Sequence, residues 1–262
     1  MAAMKSIILG SSGSLAGPCN AASGFLLCTD TYPGMLIDTG PGVLSALQQG
    51  NFSPGDYDVA FTHLHADHCA DFPSLLVWRR YHPTAKAAQR NMLFAPGHIA
   101  TRLGPLCTDE DAPADPFSDT FDLVAWQEGV PQSHGEITIT PFAAVHPIEA
   151  YSLRVEAADG TVFAFSGDTA PTDRLVDCAN DADVLFCEAS WGPSSAGKAP
   201  AMHMSAAEAG EIATRANVGK LVLVHIPPWE DQAATLAAAQ DAFSGEVVIA
   251  APGDHITAAA SR

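Results

Sequence analysis

His63, His65, Asp67 and His68 fall within six consecutive residues, directly after the apolar run Tyr57-Asp58-Val59-Ala60-Phe61. Imidazole and carboxylate side chains gathered this densely are metal ligands by type, and the H-x-H-x-D-H spacing divides them between two ions. On an extended backbone His63 and His65 point the same way and can chelate one ion. Asp67 and His68 come after the chain has turned and can reach a second. Nitrogen and oxygen donors with no Cys in the motif suit zinc first and manganese or iron second. Further on, Asp168 ends a predicted strand, and a carboxylate with two oxygens can bridge two ions. Polar loop residues, or histidines satisfied near a core, are the competing explanation. That explanation suits a lone His better than four such side chains after one strand.

A site of this kind needs rigid elements behind it. The pattern predicts strands over residues 6–9, 24–28, 35–38, 57–61, 91–95, 136–144, 151–157, 161–166, 183–187 and 221–225. Helices are expected over 42–49, 73–81, 97–103 and 205–216, the last opened by the capping box Ser205-Ala206-Ala207-Glu208. Asp38, His146, Asp168 and His225 then end strands, as His63 almost does, while Glu188 and Trp191 fall in the loop after 183–187. Ligands at the ends of several strands with helices between them describe an α/β sandwich carrying its site along one edge. Ala158-Asp159-Gly160 reads as a hairpin turn, and the Asp- and Pro-rich stretch 108–122 as a surface loop. Gly10-Ser11-Ser12-Gly13-Ser14 reads as a tight turn or as a cradle for a phosphate. Trp78 and Phe72 are expected in the core, and Arg79 and Arg80 either solvated or neutralising a phosphate near the site. His82, His98, His134 and His255 have no partner at ligand spacing.

Composition narrows the partners. A chain of 262 residues can bury a large core as one domain, 1–262, without a second. No apolar run approaches the ~20 residues of a membrane span, and the N-terminus has no basic region leading an apolar segment, so a cytoplasmic protein with no membrane partner is expected. The six cysteines form no C-x-x-C pair and read as reduced, packed thiols, although Cys69 follows the metal motif. A formal net charge of −18 with only twelve Lys and Arg argues against gripping a nucleic acid backbone, which takes clustered cations.

The motif at 63–68, with Leu36-Ile37-Asp38-Thr39-Gly40, His146, Ser166-Gly167-Asp168-Thr169 and Val224-His225, resembles the metallo-β-lactamase superfamily over almost the whole chain. Trp78-Arg79-Arg80-Tyr81-His82-Pro83, Cys187-Glu188-Ala189-Ser190-Trp191 and His225-Ile226-Pro227-Pro228-Trp229 resemble its RNase Z-like phosphodiesterase branch, and within it the actinobacterial class II-type cyclic-nucleotide (cAMP) phosphodiesterases. The resemblance implies an αββα sandwich of two related halves with a dinuclear metal site at one edge of the sheets. It implies that His63, His65 and His146 hold one divalent ion, that Asp67, His68 and His225 hold the other, and that Asp168 bridges them. It places Asp38 behind the ligand histidines, and it makes Glu188 and His203 the acid and histidine that support proton transfer, with Asp67 as a further relay. It puts the loop containing Ser12 at the border of the site and implies a homodimer. Trp191 and His203 join Ser12 as residues toward substrate, Trp191 as a face for the base.

Two ions roughly 3.5–4 Å apart can share a water, lower its pKa toward about 7, and hold a phosphate against the resulting hydroxide. The expected activity is hydrolysis of a 3′,5′-cyclic nucleotide, cAMP with cGMP as the other candidate, to the 5′-monophosphate. The alternatives are RNase Z-like processing of tRNA 3′ ends, and thioester or lactam hydrolysis on the same fold.

Overall fold

The computed structural model describes residues 4–109 and 111–258. Among them, two seven-stranded sheets pack face to face. The first contains β1 (Lys5–Gly10), β2 (Gly24–Cys28), β3 (Met35–Ile37), β4 (Asp58–Ala60), β5 (Asn91–Ala95) and β6 (Phe121–Ala125). The second contains β7 (Gln132–His134), β8 (Ile137–Ala143), β9 (Tyr151–Ala157), β10 (Val162–Phe165), β11 (Val184–Glu188), β12 (Lys220–Val224) and β13 (Glu246–Ile249). The last strand, β14 (His255–Thr257), returns to the first sheet and pairs antiparallel with β1. Each sheet begins as an antiparallel meander and continues with parallel strands, β3 to β6 in one and β10 to β13 in the other. Parallel pairing needs crossovers, and helices supply most of them. They are α1 (Val43–Gln49), α2 (Ala66–Cys69), α3 (Phe72–Tyr81), α4 (Ile99–Leu103), α5 (Asp173–Ala179), α6 (Ala206–Arg215) and α7 (Gln232–Ala242).

The burial pattern makes this an αββα sandwich. One apolar cluster lies between the sheets, where Phe165 stacks on Phe186 at 4.5 Å and both approach Phe25. Each such fully buried ring contributes roughly 1.5–3 kcal/mol relative to exposure. A second cluster joins the outer face of the second sheet to α5, α6 and α7, and a third joins the outer face of the first sheet to α1, α3 and α4. The short buried runs VLFCE and KLVLV read as continuous apolar strands because both of their faces are covered.

Several local expectations change. The stretch 108–122 is not all surface, because Phe117 is fully buried against Phe72 and β6 begins at Phe121. Trp78 is half-buried, not core, and stacks on His82 while its indole N–H donates to the Ala85 carbonyl. Arg79 and Arg80 neither face solvent freely nor serve a phosphate at the metal motif. Arg79 is buried, donates to Gly55 O, Thr120 Oγ1 and O, and Asn91 Oδ1, and lies over the Phe121 ring. Arg80 is committed to Asp115 and Asp119. Glu188 is the last residue of β11 and not part of the following loop.

Candidate metal centre

Six strand ends converge at one edge of the sandwich. Asp38 follows β3, His63 and the turn into α2 follow β4, His146 follows β8, Asp168 follows β10, Glu188 closes β11 and His225 follows β12. Asp38, Gly167 and His225 all take left-handed backbone conformations, with φ of 60°, 57° and 54°. Each of these turns redirects the chain at a strand end.

The side chains meet in two groups that share Asp168. In one, His65 Nδ1 lies 3.1 Å from His63 Nε2 and 2.9 Å from His146 Nε2, with Asp168 Oδ2 at 3.6 Å from His63 Nε2. In the other, His225 Nε2 lies 3.0 Å from Asp67 Oδ2 and 3.2 Å from His68 Nε2, with Asp168 Oδ1 3.2 Å from His68 Nε2. Cys69 stays out of both, its thiol donating to the His65 carbonyl and pushed up to about 12 by burial.

The partners behind the rings settle which nitrogen faces inward. His68 Nδ1 meets Asp38 Oδ2 at 2.7 Å. Thr62 Oγ1 donates to that same oxygen and so accepts from His63 Nδ1 at 3.1 Å. His146 Nδ1 donates to the Met202 carbonyl at 2.9 Å. Ser190 Oγ accepts from His225 Nδ1 at 2.6 Å and donates its own O–H to the His225 carbonyl at 3.0 Å. Four imidazoles are thereby fixed with Nε2 lone pairs directed into the cluster, and His65 offers Nδ1 from the side. Asp168 Oδ1 is buried and makes no hydrogen bond. Inward lone pairs with outward hydrogen bonds are what divalent ions require of histidine and carboxylate ligands, so the residues fit a dinuclear site.

The charges follow from this crowding. Burial first, then the nearby His68, hold the His63 imidazolium well below its usual range. Burial raises the Asp168 carboxyl, but His225, His68 and His63 outweigh it and depress Asp168 well below the usual carboxylate range. Burial likewise works against a charged His203, yet the Glu188 hydrogen bond and charge, with Asp168 and Asp67, push it up to about 9. His203 Nδ1 lies 3.0 Å from Glu188 Oε1 and 3.9 Å from Asp168 Oδ2.

Ser12 is buried and meets the site through backbone, bridging Ile226. The next residue must be glycine, since a Cβ at Gly13 would stand 2.3 Å from the His225 carbonyl. Ser14 N–H then points at His225 Nε2 from 3.4 Å. Trp191 is half-buried in the turn after β11. Thr62, Ser190 and Met202 escaped sequence reasoning as functional residues. Ser190 stands inside a motif quoted for its resemblance, which was the available signal, whereas a backbone carbonyl such as that of Met202 leaves no signal at all.

Fold and ligand cluster together define a metal-dependent hydrolase, and the chain belongs to the family described as the beta-lactamase superfamily domain, whose model matches residues 34–226. Its relatives place it in the RNase Z-like branch of the metallo-β-lactamase superfamily. It is 42% identical over 240 residues to the uncharacterised protein Rv1339 of Mycobacterium tuberculosis, covering 92% of this chain and 87% of that one. It is 29% identical to the probable metallo-hydrolase YhfI of Bacillus subtilis, over 95% of this chain and 98% of that one. The crystal structure of YhfI superposes with a TM-score of 0.83 over 97% of this chain and 99% of that one, at 26% identity. Ribonuclease Z of Thermobifida fusca is 27% identical over 95% of this chain and 93% of the ribonuclease. Among the described residues no helix is long and apolar enough to cross a membrane.

Proposed function

We propose that this protein is a 3′,5′-cyclic-nucleotide phosphodiesterase that opens cAMP to the 5′-monophosphate using two divalent ions, zinc being the first choice for these ligands. The observation that carries the reading is the Asp168 shared between two ligand groups, with His203 Nδ1 3.9 Å from its Oδ2. The ions supply Lewis acidity, which lowers the pKa of water and offsets charge on a phosphate diester. His63, His65 and His146 form one half of the cradle and Asp67, His68 and His225 the other. His203 holds the proton that the departing 3′ oxygen needs, and Glu188 orients its ring by occupying Nδ1, leaving Nε2 for the substrate. Asp67 lies against His225, with Oδ2 3.0 Å from its Nε2.

The similarity to ribonuclease Z raises tRNA processing as the second reading, and two observations favour the small substrate. The alignment with the Thermobifida enzyme runs over 299 positions, more than the 262 residues of this chain, so the ribonuclease carries segments this chain lacks. Between His146 and Asp168 this chain has only the β9–β10 hairpin, closed by the Asp159-Gly160 turn. Seven of the twelve Lys and Arg side chains are also paired with an acid: Arg80, Arg90, Arg154, Arg174, Lys198, Arg215 and Lys220. A tRNA needs many phosphate contacts away from the scissile bond, whereas a cyclic nucleotide carries one charge that the metal centre meets by itself.

Purified, metal-loaded protein assayed against cAMP, cGMP, a generic phosphodiester and precursor tRNA tests this. Turnover of the cyclic nucleotides without tRNA cleavage is expected. Efficient tRNA cleavage at ordinary salt with inert cyclic nucleotides would reverse the assignment.

A further inference from the structure

Phosphodiester chemistry at the cluster leaves the base of the substrate without a partner, and the inference that follows rests on the cyclic-nucleotide reading. Of the four tryptophans, Trp126 is buried, Trp78 and Trp191 are half-buried, and Trp229 is 64% exposed. Trp229 lies four residues beyond His225, in a turn closed by Glu230 N–H donating to the Pro227 carbonyl at 3.0 Å. That turn is fixed on both sides. On one side, Ser12 bridges Ile226, Gly13 N–H donates to the Ile226 carbonyl at 3.1 Å, and a Cβ at Gly17 would lie 3.8 Å from Pro228. On the other, the Glu230 carboxylate occupies the space over Gly192, where a Cβ would stand 2.1 Å from Oε2.

Both supports also touch His225, one through Ser14 N–H and the other through Ser190 Oγ. The exposed indole is therefore carried on a turn whose neighbours hold a residue of the ligand cluster. Leu15, 44% exposed, stands two residues after Gly13 on the glycine-serine loop that holds this turn. A rigid aromatic face in water beside a charged centre has an obvious complement in a flat heteroaromatic ring that must sit one sugar away from a phosphate.

We infer that Trp229 is the stacking face for the nucleobase and that it determines affinity for purine cyclic nucleotides. Stacking reads a π face and not a hydrogen-bond pattern, so Trp229 favours purine over pyrimidine without separating adenine from guanine.

Steady-state kinetics of the metal-loaded full chain on cAMP and on ribose 3′,5′-cyclic phosphate, which has no base, test the assignment. Trp229→Ala raises KM for cAMP roughly tenfold, the size of one lost base–aromatic stack. It leaves kcat within about twofold, leaves both constants for the base-free substrate near those of the parent, and retains the parent's metal content. Trp229→Phe recovers most of the affinity. An unchanged KM for cAMP, an equal effect on both substrates, or a change of oligomeric state in Trp229→Ala overturns the assignment. If the parent hydrolyses no cyclic nucleotide, the phosphodiesterase reading is what fails. Titration with adenosine 5′-monophosphate then decides the stacking face separately: quenching of indole emission that is lost in Trp229→Ala retains it, and no such quenching removes it.

Discussion

Glu188 accepts the Nδ1–H of His203 at 3.0 Å, and backbone donors meet both of its carboxylate oxygens. Its Oε1 also takes Thr169 N–H at 2.7 Å, and Oε2 takes Ser190 N–H at 3.4 Å and Met204 N–H at 3.3 Å. A fully buried carboxylate so occupied cannot swing, and its amide donors come from the segments that carry Asp168, the His225 partner Ser190, and His203 itself. Glu188 is therefore both the charge that keeps His203 protonated and the clasp that sets its direction.

His203→Ala is expected to lower kcat by about 10²–10⁴ at neutral pH with metal content unchanged. Glu188→Gln keeps an acceptor for Nδ1–H but removes the charge. Because the folded His203 titrates above the ordinary imidazole range, its proton is present below that point and lost as pH rises through it. Removing the Glu188 charge lowers the pKa, so the alkaline limb of the rate profile moves to lower pH. Superimposable pH–rate profiles for parent and Glu188→Gln would sink this role.

Asp168→Ala removes both shared oxygens and no neighbouring carboxylate stands in their place, Asp67 being held against His225. Turnover should be abolished and at least one ion lost, as read by elemental analysis of the dialysed protein. An active variant retaining two ions per chain would take Asp168 out of the bridge.

Ser190→Ala deletes the acceptor that fixes His225 in one tautomer. A roughly tenfold loss of metal affinity is expected, at the lower end of what such supporting hydrogen bonds usually contribute. Chelator competition measures it. Affinity equal to the parent would show that the left-handed turn at His225 suffices to aim the ring.

Arg79→Ala should destabilise by about 3 kcal/mol, since it leaves the Gly55 and Thr120 carbonyls and the Asn91 amide without their buried donor. For a chain of this size that is a fall in Tm of roughly 6–12 °C. At temperatures where the variant is folded, kcat/KM should match the parent. A selective rise in KM with normal Tm would instead return Arg79 to a phosphate-binding role.

Much of the architecture was legible from local pattern because local physics controls it. Apolar runs covered on both faces announced β4, β11 and β12, the Ser205–Glu208 capping box announced α6 with both of its reciprocal hydrogen bonds present, and Asp159-Gly160 announced its turn. Strand β13, with its Val247-Val248-Ile249 run, and helix α5, with Thr172 as its cap, carried local signals and were passed over, whereas three other unassigned elements lack them. Strand β7 has three polar residues, β14 exists only by pairing with β1, and α7 is so rich in alanine that no apolar stripe stands out. Phe117, inside an Asp- and Pro-rich stretch, is buried because α3 and β6 close over it, a choice made by tertiary packing against local composition.

The same division runs through the site. Spacing alone determined that His63, His65, Asp67 and His68 stand together after one strand, because ligands within six consecutive residues cannot be far apart in space. That His146, Asp168 and His225 meet them was decided by two sheets packing with their strand ends at one edge, which brings residues more than 150 positions apart to 3.0 Å. Only packing could also choose the hydrogen-bond partners that turn each Nε2 inward, one of which is a backbone carbonyl with no side chain to read. Arg79 and Arg80 make the complementary point. Adjacent cations beside a metal motif suggested a phosphate, but the helix that carries them directs one into the core and the other onto two aspartates. Residue type sets what a side chain can do, and the direction in which the fold points it sets what it does.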